Sequence, residues 1–217
     1  MIILENKQIE AVKSLSINGR WSEYTDIDYN IKLWSKFWTK VYVGEKSDVI
    51  LDFGSGATWG GCVAEKLGFT DHVNLDIDIP EVREKFGLYA SALNQNVTYY
   101  NGFAIPFSND HFNSIVAKAS IMKLDKTDLH KVVEELLRVS KSGAIWYIAS
   151  KGMCFRLKEA LVNENIAYKL TDKNIDIKCW TWFPLEFNRS KTPFTEFYTL
   201  YKAVNFFRKI KKLLKNR

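Results

Sequence analysis

Asp48-Val-Ile-Leu-Asp-Phe-Gly-Ser-Gly56 is the stretch from which the rest of this chain is read: a short apolar run closes on an acid, Asp52, and two glycines follow one residue apart. An apolar strand that runs straight into a glycine turn ahead of a helix is the usual way to bring bare backbone against a nucleoside cofactor. Beyond the turn, Trp59 to Leu67 has apolar residues at helical spacing, with Gly68 as a C-cap. The alternation then repeats. His72-Val-Asn-Leu-Asp-Ile-Asp78 predicts a second strand, Pro80 opens a helix to about Leu93, and Val97 to Tyr100 predicts a third strand. Ser114 to Ser120 reads as a fourth strand, and Lys126 to Val139 is periodic through Leu129, Val132, Val133, Leu136 and Leu137. Gly143 ends that connection, and Ala144 to Ala149 reads as a fifth strand. A helix from Phe155 to Asn163 and final strands near Ile177 to Phe183 and Phe197 to Ala203 complete the pattern.

Strands alternating with helices make this an α/β chain: a Rossmann-like, doubly wound sheet of about seven strands, mostly parallel, with helices on both faces. No clear helix separates the last two strands, so the last is expected to run antiparallel. The expected organisation is a helical cap over residues 1–44, a core over 45–203 and a basic amphipathic helix over 204–217.

Composition narrows the function classes. With 217 residues and 47% apolar content, the chain can bury one substantial core. Three cysteines, Cys62, Cys154 and Cys179, lie far apart without CxxC spacing, which indicates neither a disulfide framework nor a zinc site. No window reaches the roughly 18 apolar residues of a membrane span, so a soluble, cytoplasmic protein is expected. The net charge of +6 is concentrated at one end. From Phe197 onward there are seven basic residues and no acids, which leaves 24 basic against 25 acidic groups before it. A neutral body speaks against a nucleic-acid grip, which spreads positive charge over the binding face.

Several segments resemble, in order, the motifs of the class I S-adenosylmethionine (SAM) dependent methyltransferases, within the branch that includes small-molecule and quinone-type enzymes. Leu51-Asp-Phe-Gly-Ser-Gly56 is similar to the first motif, Asp76-Ile-Asp78 to the acid after the second strand, and Asn101-Gly-Phe-Ala-Ile-Pro-Phe107 to the loop after the third. His111-Phe-Asn-Ser-Ile-Val116 sits where the family often has Phe-Asp, and Glu135 to Gly143 resembles its helix and turn before the fifth strand. The resemblance covers about residues 45–203 and implies SAM as cofactor.

It also implies a binding set of Asp52, Gly54, Ser55, Gly56, Asp76, Ile77, Asn101, Gly102, Phe103 and Lys118. In that set Gly54 and Gly56 leave backbone amides free, Asp52 helps orient the cofactor's ammonium group, and Asp76 accepts from both ribose hydroxyls. Ile77 and Phe103 cover the two faces of adenine, and the Asn101 amide oxygen receives the adenine amino group. An acid some twenty residues past the glycines also serves nicotinamide enzymes, so Asp76 does not discriminate; the third glycine does. GxGxxG requires glycine at position 59, where this chain has Trp59, and the methyltransferase third glycine is replaced by Thr58, with Gly60 and Gly61 just beyond.

The catalytic group is not assigned. Methyl transfer is an in-line displacement that depends on alignment, and a base is optional. Lys118 and Lys123 read better as ordinary lysines than as bases, since a lysine base must be desolvated. His130 reads as a helix-surface residue, His72 opens a strand and His111 sits in a turn. No metal site is expected. The aromatic residues from Trp21 to Trp38 suit helices over the cofactor cleft, and Cys179-Trp-Thr-Trp-Phe-Pro184 precedes a polar loop, where rings can stack on sugar or cover an apolar acceptor.

In the tail, Phe206, Phe207, Ile210, Leu213 and Leu214 mark one helical face opposite a basic one, which suits an anionic membrane surface or docking on the body. Three functions stay open. They are O-methylation of a small polar or carbohydrate acceptor, possible in a membrane-associated glycan pathway; methylation of a quinone or lipid; and a non-catalytic partner subunit. Oligomeric state is not legible.

Overall fold

The structure, a computed structural model, describes residues 2, 4–15, 24–121, 124–149, 157, 169, 170 and 172–180. It divides into two compact units, Met1–Pro106 and Phe107–Arg217. The first holds helices α1 (Asn6–Ser14), α2 (Ile27–Lys36), α3 (Trp59–Lys66) and α4 (Pro80–Ala92), and strands β1 (Ile50–Phe53), β2 (His72–Ile77) and β3 (Val97–Tyr100). The second holds β4 (Phe112–Lys118), α5 (Lys126–Val139), β5 (Ser140–Ala149) and β6 (Asp176–Trp180). The six strands alternate with helices in a Rossmann-like fold, ordered β3-β2-β1 in the first unit and β4-β5-β6 in the second.

In the first unit, β2 pairs in parallel with β1 and with β3. All four residues of β1 are buried, as expected of an apolar strand covered on both faces. Pro80 at the start of α4 fixes φ where no N–H is needed. Among the described N-terminal residues, Asn6–Ser14 and Ile27–Lys36 are helical. Glu5 and Gln8 form a capping box at α1, and the Gln8 amide donates to Leu93 O at 3.0 Å. Asp26 caps α2 by accepting from Tyr29 N at 2.9 Å. That helix runs on as a π-helical turn, Phe37–Val41, which places Phe37, Trp38 and Val41 inward. Trp34, Phe37, Trp38, Tyr42 and Phe69 then form a ring cluster with centroids 4.8–6.5 Å apart. Full burial of such side chains contributes on the order of 1.5–3 kcal/mol each, so the cap is held by packing. His72 lies edge-on to Trp38 at 5.7 Å with both ring nitrogens buried and without a partner among the described residues, and burial pushes its pKa down to about 4, so the ring is neutral.

In the second unit, β5 pairs in parallel with β4 and β6. It starts at Ser140, four residues before the expected Ala144, because Gly143 sits within the strand at φ 80° instead of ending the connection. The register shifts between Phe112 and Ser114, and Ser140 Oγ both donates to Leu136 O at 2.6 Å and accepts from the Trp146 indole at 2.9 Å. Lys173 Nζ donates to Leu137 O and Ser140 O at 2.9 and 2.8 Å, closing the C-terminal end of α5.

Among the described residues there are six strands, and every pairing between consecutive strands within a unit is parallel; the expected antiparallel last strand, Phe197 to Ala203, lies outside them. β6 is the parallel partner of β5 because the chain between them is long enough for a crossover. Cys179 is disulfide-bonded, although spacing along the chain suggested no bridge; folding, not spacing, sets the distance between cysteines. Cys62 is free and buried, its thiol pushed up to about 11 by burial, and Cys154 lies outside the described residues. The helix expected over Phe155 to Asn163 also lies outside them, apart from Leu157, which is helical and buried.

Candidate functional site

The sharp bend after β1 is made by two amides on one carbonyl. Gly54 N and Ser55 N donate to Leu75 O at 2.8 and 3.1 Å, tying the turn to the end of β2, and Gly56 N donates to Asp76 Oδ2, so the Gly54 and Gly56 amides are bonded within the chain and not free as expected. Gly54 at φ 72° and Gly56 at φ 53° take the left-handed conformation that glycine adopts without steric cost. Thr58 takes it too, at φ 57°, where a β-branched residue is an outlier. It is the N-cap of α3 but its side chain makes no cap bond, and its buried hydroxyl has no partner among the described residues. The turn therefore keeps the left-handed step where the methyltransferase pattern writes glycine.

The missing third glycine has moved along the helix. A Cβ on Gly60 would stand 2.5 Å from Asp52 Oδ2 and 3.1 Å from the Trp34 ring. One on Gly61 would stand 2.6 Å from Asn74 Oδ1. Bare positions here let α3 settle onto β1, β2 and the cap. They also place the Asp52 carboxyl group, 1% exposed, against the first turn of α3 and beneath the glycine turn.

Asp76 bonds the turn directly. It is 8% exposed at the carboxyl end of β2, and each oxygen accepts one backbone N–H at 2.8 Å: Oδ2 from Gly56 and Oδ1 from Ile77. Burial raises its pKa, and the two amide bonds partly oppose the shift. Ionised, the carboxylate has further lone pairs on both oxygens, a match for two adjacent hydroxyl donors. Asp78 is held differently. Arg83 binds it through Nε to Oδ1 and through Nη2 to Oδ2, while the guanidinium lies 4.4 Å over the Tyr99 ring. The bond from Arg83 lowers the pKa of Asp78, and the pair is exposed.

The loop after β3 stands beside Ile77. A Cβ on Gly102, at φ 85°, would be 3.4 Å from Ile77 Cδ1, so glycine lets the loop close on that side chain. Phe103 is 64% exposed. Asn101 has a different place from the expected one. Its Oδ1 accepts from Phe103 N at 3.0 Å and Ala104 N at 3.2 Å, which fixes the amide's orientation and spends both lone pairs on the loop. What Asn101 offers a ligand is its Nδ2 donor, suited to a ring nitrogen and not to an amino group. Ser55 Oγ is buried and has no partner among the described residues.

The structure thus gathers Asp52, Gly54, Ser55, Gly56, Asp76, Ile77, Asn101, Gly102 and Phe103 in the first unit. Lys118 ends β4, half-buried, in the second. His130 is half-buried with Nε2 unpartnered, not a plain surface residue, and His111 stacks on Phe107 at 5.3 Å. No group of three or more metal-ligating side chains occurs among the described residues. Phe86 and Tyr24 were not recognised as neighbours of the turn. Gly56 would meet Phe86 Cζ and Tyr24 Oη at 3.8 Å if it carried a Cβ. Helical periodicity alone gives Phe86 no such role.

No family model matches this chain, and no curated protein does. Solved structures match in part. A SAM-dependent methyltransferase from Aquifex aeolicus is 17% identical, with 89% of this chain and 88% of that one covered and a TM-score of 0.48. A proposed SAM-dependent methyltransferase from Methanococcus maripaludis is 16% identical, with 80% of each chain covered and a TM-score of 0.45. A protein from Pyrococcus horikoshii is 20% identical over 75% of this chain and 70% of its own, with a TM-score of 0.45. At such scores the functional reading has to rest on the site itself.

Proposed function

We propose that this chain is a SAM-dependent methyltransferase that holds the cofactor's ribose on Asp76 and its adenine between Ile77 and Phe103. The observation that carries the reading is the Asp76 carboxylate, buried beside the glycine turn with each oxygen oriented by one amide. The occupied start of α3 favours SAM over a dinucleotide. A pyrophosphate needs the bare start of that helix, and here the Asp52 carboxyl group already lies there. Trp59, 2% exposed, fills the position of the dinucleotide motif's last glycine.

When bound, SAM supplies a methyl group already activated on sulfur. The chain's residues hold and align: Asp76 fixes the ribose, the Gly54–Gly56 backbone sets the approach, and the Asn101 loop closes the adenine edge. We assign no described side chain as a base.

For the acceptor, the proposal is an oxygen of a small polar or carbohydrate molecule. Its support is the aromatic run Cys179-Trp-Thr-Trp-Phe-Pro184, of which Cys179 and Trp180 end β6, at the strand edge where α/β folds bind ligands. A quinone or lipid acceptor is the second reading, supported by the apolar and basic faces of residues 204–217, which also suit peripheral attachment of a cytoplasmic protein to an anionic membrane. No described helix is long and apolar enough to cross a membrane. Calorimetric titration with SAM, S-adenosylhomocysteine and NADH tests the reading. Binding of the first two without the third is expected; NADH binding alone, or none, overturns it.

A further inference from the structure

The face of the glycine turn is not left to the strand and helix that build it. Tyr24, just before α2, is half-buried, and its hydroxyl stands 3.8 Å from where a Cβ on Gly56 would be. Its ring meets Phe86 edge-on at 5.4 Å and lies 6.2 Å from Tyr89, both on α4. Two indoles hold the surrounding chain to α3: Trp59 Nε1 donates to Tyr24 O at 3.0 Å, and Trp38 Nε1 donates to Gly60 O at 3.0 Å. The first of these residues directly follows the turn, so the backbone of Tyr24 and the turn move together. Gly56, the residue that the hydroxyl faces, is the one whose N–H orients Asp76.

From these contacts we propose that Tyr24 is a ligand-positioning residue of this site, its hydroxyl bonding the polar part of a nucleoside ligand laid against Gly56 and slowing that ligand's release. This rests on the SAM reading and deepens it. The aromatic wall of Phe86 and Tyr89 keeps the phenol ring in place, so its hydroxyl is pre-oriented and little freedom is lost on binding. A tyrosine hydroxyl both donates and accepts, which suits a carboxylate, an amine or a ribose hydroxyl.

Tyr24→Phe keeps the ring and removes only the hydroxyl, and Tyr24→Ala removes both. The test is calorimetry and stopped-flow displacement of S-adenosylhomocysteine on wild type, both variants and Asp76→Ala, with thermal unfolding of each free protein. In Tyr24→Phe the Kd should rise roughly threefold to tenfold, matching one lost hydrogen bond. The rise should come from faster dissociation, with the free protein's unfolding midpoint unchanged. Tyr24→Ala should lose more than tenfold. If Tyr24→Phe binds and releases the ligand as wild type does while Asp76→Ala loses it, the role of Tyr24 is refuted and the SAM reading stands. If wild type binds neither SAM nor S-adenosylhomocysteine, both are refuted. Should Tyr24→Ala fail to fold, Tyr24→Phe alone decides.

Discussion

Asp76 couples the site to pH through its burial. Its pKa is raised above the ordinary 3.8, chiefly by desolvation. A carboxyl group whose folded pKa is raised binds protons more readily in the folded chain, so its contribution to stability declines as pH rises from 3.8 through the folded value. Ribose hydroxyls donating to the carboxylate favour its charged form and lower that pKa again. Binding then expels a proton in the interval between the two values, and affinity must fall as pH drops through the raised one. Calorimetric Kd values for S-adenosylhomocysteine across the acid range should show this decline, and Asp76→Asn should remove the slope along with most of the affinity. A slope that survives in Asp76→Asn would assign the proton to another group. Asn101 shows why one residue's role resists sequence reading. Its place in a loop after a strand is local and legible, but the commitment of its oxygen to Phe103 N and Ala104 N depends on how that loop turns.

Among the elements, α3 is the one whose packing is tightest against the turn. Alanine at position 60 gains about 1 kcal/mol in helix propensity. Its Cβ, however, would stand 2.5 Å from Asp52 Oδ2 and 3.1 Å from Trp34, and relieving such overpacking costs about 1–3 kcal/mol, more when a buried carboxylate must move. The clash wins. Gly60→Ala is expected to destabilise the protein by about 2 kcal/mol in urea unfolding, whereas Gly87→Ala in α4, whose Cβ would lie 3.7 Å from Tyr99 Oη, should stabilise it by about 0.5–1 kcal/mol. Equal effects would mean that α3 does not need its glycines for close approach.

The elements themselves were largely legible. β3 and α5 lie where the pattern places them, and α3, β2 and α4 differ by a residue at one end, because apolar period and caps are local; β4 begins and ends two residues before the expected Ser114 and Ser120. The start of β5 was not, since the pairing of Ser140 with Phe112 of β4 that sets it is a contact between strands. The order Gly54, Gly56, Asp76 was readable from spacing, while the left-handed Thr58, the displaced role of Gly60 and Gly61, and the cover by Tyr24 and Phe86 arise from contacts across the unit.

For the whole molecule, charge separates body from tail. Seven basic residues from Phe197 onward set against a near-neutral remainder support membrane attachment through residues 204–217, with each basic group contributing on the order of 1 kcal/mol near anionic lipid. Full-length protein should sediment with anionic liposomes and lose this on deletion of residues 205–217; equal sedimentation of both would contradict the attachment. The Asp76 site lies in the body, and a paired titration probes it: S-adenosylhomocysteine into wild type and into Asp76→Ala, each shown folded by its unfolding transition. Saturable binding by wild type that falls at least tenfold in Asp76→Ala is the expected result. No binding by wild type, or equal binding by both, would contradict it.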